Sequence, residues 1–279
     1  MPPDSVLTFC TYVEKGGVGK TTSAAHLAVA AHRDHGLEVL LVDLAGTQND
    51  VATQFGMADS VVDPDAPISA VFGDNWEFIS ENIPDVVDRM VFETEEGVDL
   101  IPSDDGLGGA DNNLANVPRE ERYTKLATFV DEELAPRYDL IVFDLPGKED
   151  NIALNGLFAA EHTVTPLKPG EFERRQLSNL KRNLAEIRDS HPVEPELSLV
   201  FATMVDRRAT LDKEFVDELA AEYPGVAGEP VPATQNIGNE QAAGRTLFAL
   251  EDDELYSTGR EAREAYRSNT NHLLEYIQS

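Results

Sequence analysis

Lys15-Gly16-Gly17-Val18-Gly19-Lys20-Thr21-Thr22 stands between an apolar stretch, Val6–Val13, and an alanine-rich stretch, Thr21–His35, that ends at Gly36. The first reads as a buried strand and the second as a helix. A glycine-rich turn between strand and helix is a phosphate cradle. Its amides and the helix N-terminus face the oligophosphate, Lys20 reaches the outer phosphates, and the Thr21 hydroxyl can hold Mg²⁺. Gly16, Gly17, Val18, Gly19, Lys20, Thr21 and Thr22 are therefore the candidate nucleotide-binding residues. The usual P-loop pattern has glycine at position 14, where this chain has Glu14, and an extra lysine, Lys15, falls at the front of the loop.

Working outward, Glu38–Asp43 and Asp139–Asp144 are two further apolar strands, each ending in an acid. Val98–Pro102, His162–Leu167, Leu197–Met204 and Gly228–Val231 read as strands. Ile68–Phe72, Ile83–Phe92, Glu120–Leu134, Arg174–Asp189, Leu211–Glu222 and Gly259–Gln278 read as helical, and Gly106–Asp111 as a loop. Continuous Val/Ile/Leu strands alternating with helices predict a doubly wound α/β domain: one mainly parallel sheet with helices on both faces, spanning 1–279. Residues 57–111 form an acidic, loop-rich segment within it. Ligands then sit at the C-terminal ends of the strands, where the glycine loop, Asp43 and Asp144 all fall. Asp43, Asp144 and Thr21 are the candidate Mg²⁺ ligands.

The chain has 279 residues, 41% of them hydrophobic and 27% charged. It has no run of 18 apolar residues and no basic-then-apolar leader, so a cytoplasmic protein without a membrane span is expected. Its 52 acidic and 22 basic residues leave a net charge of −30, spread over nearly every segment. With Arg outnumbering Lys 15 to 7, this suggests a salt-rich cytoplasm, where repulsion is screened within roughly 3 Å at about 1 M. The single cysteine, Cys10, reads as a buried small hydrophobe, and it excludes a cluster that needs two cysteines per chain. The six histidines show no ligand spacing.

The Lys-Gly-Gly-Val-Gly-Lys-Thr-Thr run resembles the signature loop of the ParA/MinD family of deviant Walker A ATPases, most closely the ParA/Soj partition proteins. Val39–Asp43, Tyr138–Asp144 and Val98–Pro102 are similar to that family's second motif, Walker B strand and intermediate strand. Thr203–Arg207 and Val231–Asn236, followed by Gln241–Arg245, resemble its base-side loops, which adds Met204, Asp206 and Pro232 to the nucleotide-binding candidates. The resemblance implies an ATP- and Mg²⁺-dependent homodimer with ATP sandwiched between subunits. Lys15 would reach the partner's nucleotide, and Lys15, Lys20 and Asp43 would take catalytic roles. It also implies a replicon or other cargo and a small adaptor of the ParB kind.

One departure is large. Where the family reads Asp-x-Asp-Pro-Gln, this chain reads Asp43-Leu44-Ala45-Gly46-Thr47-Gln48. A methyl group can neither take a proton nor orient water. Either hydrolysis is slow and the chain is mainly a nucleotide-gated switch, or Thr47, Gln48 or Asp50 takes over. Gln48 is the catalytic candidate, since a glutamine can orient water. Arg174, Arg175, Lys181, Arg182 and Arg188 form a locally basic stretch, read either as a nonspecific DNA contact with nucleoid association or as an ordinary solvated helix face. The last helix carries mixed charge, so packing is expected there rather than a MinD-like membrane contact.

Overall fold

The computed structural model describes residues 6–46, 49–62, 64–170, 182, 184–191 and 195–278. Three strands are buried at every residue, β1 (Leu7–Thr11), β2 (Val39–Asp43) and β5 (Leu140–Asp144), and β6 (His162–Leu167) and β7 (Glu196–Ala202) at all but their first one or two. The short β4 (Asp99–Ile101) and β3 (Phe92–Glu93) extend the sheet to the order β3-β4-β2-β5-β1-β6-β7. All neighbours run parallel except β3 against β4.

Side chains alternate across this sheet. Phe9, Leu41 and Val142 point into one apolar layer, while Cys10, Leu40, Val42, Ile141 and Phe143 point into the other. Two buried faces require two helical layers. The first is built by α1 (Lys20–His35) and the long C-terminal helix α10 (Ser257–Ile277). Ala24, Ala25, Ala28 and Ala31 let α1 sit close to the sheet, and Gly36 closes it at φ 68°. The second layer includes α4 (Leu107–Leu114), α6 (Lys125–Phe129) and α7 (Asn151–Ala160).

His26 joins α1 to the C-terminal segment. Its Nδ1 donates to the Thr22 carbonyl at 2.7 Å, its Nε2 accepts from the Leu247 amide at 3.2 Å, and its ring stacks on Tyr266 at 4.5 Å. Burial drives its pKa down to about 4, so both bonds are made by the neutral ring.

Several local expectations are corrected. Residues 83–92 are not helical. The helix is α3 (Trp76–Asn82), and it stops at an extended Ile83 because Pro84 follows. Gly106–Asp111 is not a loop: Gly106 caps α4, and Leu107–Asp111 form its start. Leu107, Ala110 and Leu114 bury one helical face there, which outweighs about 1 kcal/mol of propensity per glycine. The expected helix over 120–134 is broken into α5 (Arg119–Arg122), α6 and a π-turn, Val130–Leu134. The side chain of Asn155 sits in the break: it accepts from the Leu126 amide at 3.3 Å and donates to the Arg122 carbonyl at 2.9 Å. Gly228–Val231 forms no strand, only isolated bridges at Ala227 and Pro232. Of 174–189, only 182 and 184–189 are described, and these are helical. α8 (Thr210–Glu222) agrees with the sequence reading, whereas α9 (Gln235–Ala242) was not anticipated.

A close backbone approach links α2 (Asp50–Gln54), which follows β2, to α9. Gly244, at φ +72°, would place a Cβ 2.4 Å from the Gly56 Cα and 2.6 Å from its nitrogen. The Gln54 side chain reinforces the contact by donating to the Arg245 carbonyl at 2.8 Å. Gly244→Ala is expected to destabilise the protein by about 2–4 kcal/mol, from positive φ plus overpacking. Gly225, at φ +88° but in open space, should lose only about 1 kcal/mol as Gly225→Ala. Urea unfolding of the two variants checks the difference.

Candidate functional site

Beta strand pairing brings the two strand-end acids together: Asp43 and Asp144 are direct partners in the β2–β5 register. Both are essentially inaccessible, at 1% and 0% exposure. Asp144 lies between two hydroxyls, accepting from Thr11 Oγ1 at 2.7 Å and from Thr21 Oγ1 at 2.5 Å. Asp43 accepts from the Ala45 amide at 2.9 Å and the Val51 amide at 3.3 Å, with the Ser103 hydroxyl 3.2 Å away. Burial pushes both carboxyls above their ordinary value, and for Asp43 the charge of Asp144 adds to it.

The glycine loop lies over these acids. Gly17 and Gly19 take φ of 74° and 90°, a region open to glycine at no steric cost. Lys20 Nζ donates to the Lys15 carbonyl at 2.7 Å, so the cation folds back over the concave side of the turn. Burial lowers the Lys20 pKa while Asp144 opposes that shift. Gly147, just past β5, sits so close that a Cβ there would lie 3.0 Å from Lys20 Nζ and 3.1 Å from the Lys15 carbonyl. Val18 is buried, and its carbonyl accepts from Thr203 Oγ1 at 2.8 Å.

A cleft of about 610 Å³ opens on this arrangement, lined by Gly16, Gly17, Gly19, Lys20, Thr21 and Thr22 from the loop and by Met204, whose side chain lies beside Gly19. Ala45, Asp50, Leu145, Pro146, Gly147, Lys148 and Gln241 complete the walls. Met204 holds φ 55° and is 41% exposed. Asp206 and Pro232 do not line the cleft. Asp206 closes a turn by accepting the Arg208 amide at 2.9 Å, and Pro232 is buried opposite Val205. Lys148 and Gln241 were missed as individual site residues. Gln241 did lie in a motif whose order pointed here, whereas nothing in the local sequence marks Lys148, which pairs with Asp150 at 2.9 Å. Gln48, Arg174, Arg175 and Lys181 lie outside the described residues. Arg182 pairs with Glu186 at 3.5 Å, and Arg188 is exposed.

Among the described residues, no group of three or more His, Cys, Asp or Glu could form a metal cage. No helix of the described residues is long and apolar enough to cross a membrane.

A glycine turn feeding α1, a cation folded over it and two acids at adjacent parallel strand tips define a P-loop NTPase of the doubly wound α/β class. Residues 7–199 match the family model described as AAA domain, AAA_31, and the chain belongs to that family. The chain is 28% identical to the chromosome partitioning protein ParA of Caulobacter vibrioides over 75% of its length and 74% of that protein. It is 29% identical to the chromosome-partitioning ATPase Soj of Thermus thermophilus over 84% of each chain. Cobyrinic acid a,c-diamide synthase from Mycobacterium smegmatis, solved with an ATP analogue and magnesium, shares the fold at TM-score 0.74 and 23% identity, over 98% of this chain and 96% of that one. The resemblance to ParA and Soj carried by the signature loop is borne out.

Proposed function

We propose that this chain is an ATP-binding, ParA-like ATPase that dimerises on ATP, hydrolyses it slowly, and positions or partitions a replicon or other cargo. The observation that carries this reading is the meeting of Lys20, Thr21, Asp144 and Asp43 at one end of the sheet. Lys20 supplies charge to the outer phosphates, and the loop amides bind the rest of the chain of phosphates. The donor set suits Mg²⁺. The Thr21 hydroxyl touches Asp144 at 2.5 Å, and two buried carboxylates sit side by side with more negative charge than Lys20 alone offsets. Mg²⁺ is held by few protein oxygens plus phosphate and water, so a three-acid cage is not required. When bound, it would neutralise charge on the phosphates, with Thr21 and Asp144 as its protein partners and Asp43 behind them. The ParA and Soj relatives and the nucleotide-bound structure of the same fold support ATP as the ligand.

Lys15 is assigned to the partner's nucleotide across a dimer interface, where a second cation offsets transition-state charge. Lys15→Ala is expected to leave ATP affinity within about threefold while abolishing ATP-dependent dimerisation, since the lost contact belongs to the partner. Light scattering coupled to size exclusion, with and without a non-hydrolysable ATP analogue, checks it. A Lys15→Ala dimer as stable as the wild type overturns the sandwich reading.

A second reading, a nucleotide-gated regulator with little turnover, is favoured by one observation: the cleft wall next to Asp43 is the methyl group of Ala45. Steady-state phosphate release, with and without DNA, separates the two. The basic stretch Arg174, Arg175, Lys181, Arg182 and Arg188 is the segment we assign to nonspecific DNA. An ATP-dependent gel shift of random-sequence DNA at the working salt supports that assignment, and its absence removes it. Stimulation by a small ParB-like adaptor would identify the cargo side.

A further inference from the structure

If Ala45 cannot orient water, some other group must do so for ATP to turn over. Neither strand-tip acid is free for the task. Both oxygens of Asp144 take hydroxyl donors, both oxygens of Asp43 take backbone amides, and both acids are sealed from solvent. Among the described residues lining the cleft, one carboxylate remains, that of Asp50. It is the first residue of α2, exposed, and it lines the same cleft as Lys20 and Thr21. Its charge is felt at Asp144.

The placement of Asp50 is fixed rather than incidental. The next amide along the chain, that of Val51, is tied to Asp43 at 3.3 Å, and the Thr53 amide donates to the Asn49 carbonyl at 2.8 Å. The far end of α2 is held by the Gly56–Gly244 approach and by Gln54 on Arg245. A short helix pinned at both ends thus presents a carboxylate to the cleft that the glycine loop also lines.

We infer that Asp50 orients the attacking water, replacing the acid that Ala45 lacks. The inference rests on the ATP reading above. In the step, the water oxygen forms a new bond to the γ-phosphorus. The bond from that phosphorus to the β,γ-bridging oxygen breaks, and its electron pair leaves with ADP. Asp50 accepts the water's hydrogen bond and passes the released proton to solvent, so ATP and water give ADP, inorganic phosphate and a proton. A carboxylate so placed also leaves a mark without turnover: its charge opposes the third phosphate and not the first two.

The test uses the full chain and measures binding first. Asp50→Asn should tighten a non-hydrolysable ATP analogue about 3- to 10-fold by calorimetry, through lost charge repulsion. It should leave ADP affinity within about twofold, and lower phosphate release about 100-fold, the scale of a positioned base. Asp50→Glu should retain part of the release, and unfolding midpoints of both variants should match the wild type. An unchanged analogue-to-ADP affinity ratio overturns the inference. So does phosphate release that survives Asp50→Asn but is lost in Gln48→Ala, or a wild type that binds the analogue and releases no phosphate. A wild type that binds neither nucleotide overturns the ATP reading itself, and the assignment with it.

Discussion

Lys20→Ala should weaken ATP binding by about 10- to 100-fold, the equivalent of about 1.5–3 kcal/mol for a charge-assisted bond to phosphate. In the structure the Lys20 amine donates to the Lys15 carbonyl at 2.7 Å, with Gly147 packed beside it. Its removal also takes away the positive charge that offsets the buried carboxylate of Asp144, so the loss of affinity is read on protein whose urea midpoint shows it folded. Lys20→Arg should be nearly as damaging, because a planar guanidinium does not fit where a Cβ on Gly147 would already be 3.0 Å from the amine. Lys148→Ala is the control: its side chain is 70% exposed and pairs with Asp150, so affinity should change by no more than about threefold. Calorimetric titration of the three variants gives the order. An affinity for Lys20→Ala within twofold of the wild type would remove the cradle from the account.

Asp144→Asn should stabilise the nucleotide-free protein at neutral and alkaline pH, by about 1–2 kcal/mol, while weakening Mg²⁺-dependent nucleotide binding at least about tenfold. The sign follows from the buried pair. Both carboxyls are raised above the ordinary value of 3.8, first by burial. From about pH 4 upward the unfolded chain sheds these protons before the folded chain does, so the folded state binds more of them and stability falls as pH rises. The loss is complete once pH exceeds the raised values. An amide at position 144 removes one charge and relieves its neighbour. Its partners Thr11 and Thr21 are hydroxyls, which can accept from the amide as readily as they donate to a carboxylate.

His26 acts in the opposite sense. Its pKa is lowered to about 4 by burial, so stability is lost as pH falls through about 6.5 toward that value. The two slopes overlap in the wild type, and the diagnostic quantity is the difference between variant and wild type. That difference should grow from near zero at about pH 4 to its full size at about pH 8. Mg²⁺ should restore wild-type stability but not that of the variant. Urea unfolding across this range, with chelator and with Mg²⁺, provides the measurement.

The parts of this molecule that were legible in the sequence are those fixed by covalent necessity or by burial. The glycine loop could be read because positive φ at Gly17 and Gly19 admits few alternatives. The core strands could be read because both faces are buried, which writes an uninterrupted apolar run such as Leu140–Asp144. Segments decided by a distant partner were not legible. The break between α5 and α6 depends on Asn155, which reaches the backbone from α7. The helix over the glycine pair Gly108-Gly109 depends on a tertiary face formed by Leu107, Ala110 and Leu114. In the site, Gly16, Gly17, Gly19, Lys20, Thr21 and Thr22 line the cleft and both acids lie at adjacent strand tips, while Val18 packs into an apolar cluster and Asp206 and Pro232 serve backbone geometry beside the cleft. Lys148, just past β5, and Gln241, on α9, enter the cleft only because segments distant in sequence converge there.

The strand order bears on how the chain is made. β1 is the first strand to be synthesised, yet it lies in the sheet between β5 and β6. Its bond from Thr11 to Asp144 spans 133 residues. At about 5–20 residues per second, the ribosome emits β1 roughly 7–30 seconds before its first neighbour exists. During that interval an apolar strand carries two open edges, the condition most prone to wrong pairing. The dense acidic charge of residues 57–105, nine Asp and five Glu against Arg89, emerges in that same interval, and strongly hydrated carboxylates next to apolar strands act as gatekeepers against wrong pairing. The acidity that looks like an adaptation of the finished surface thus also protects the unfinished one.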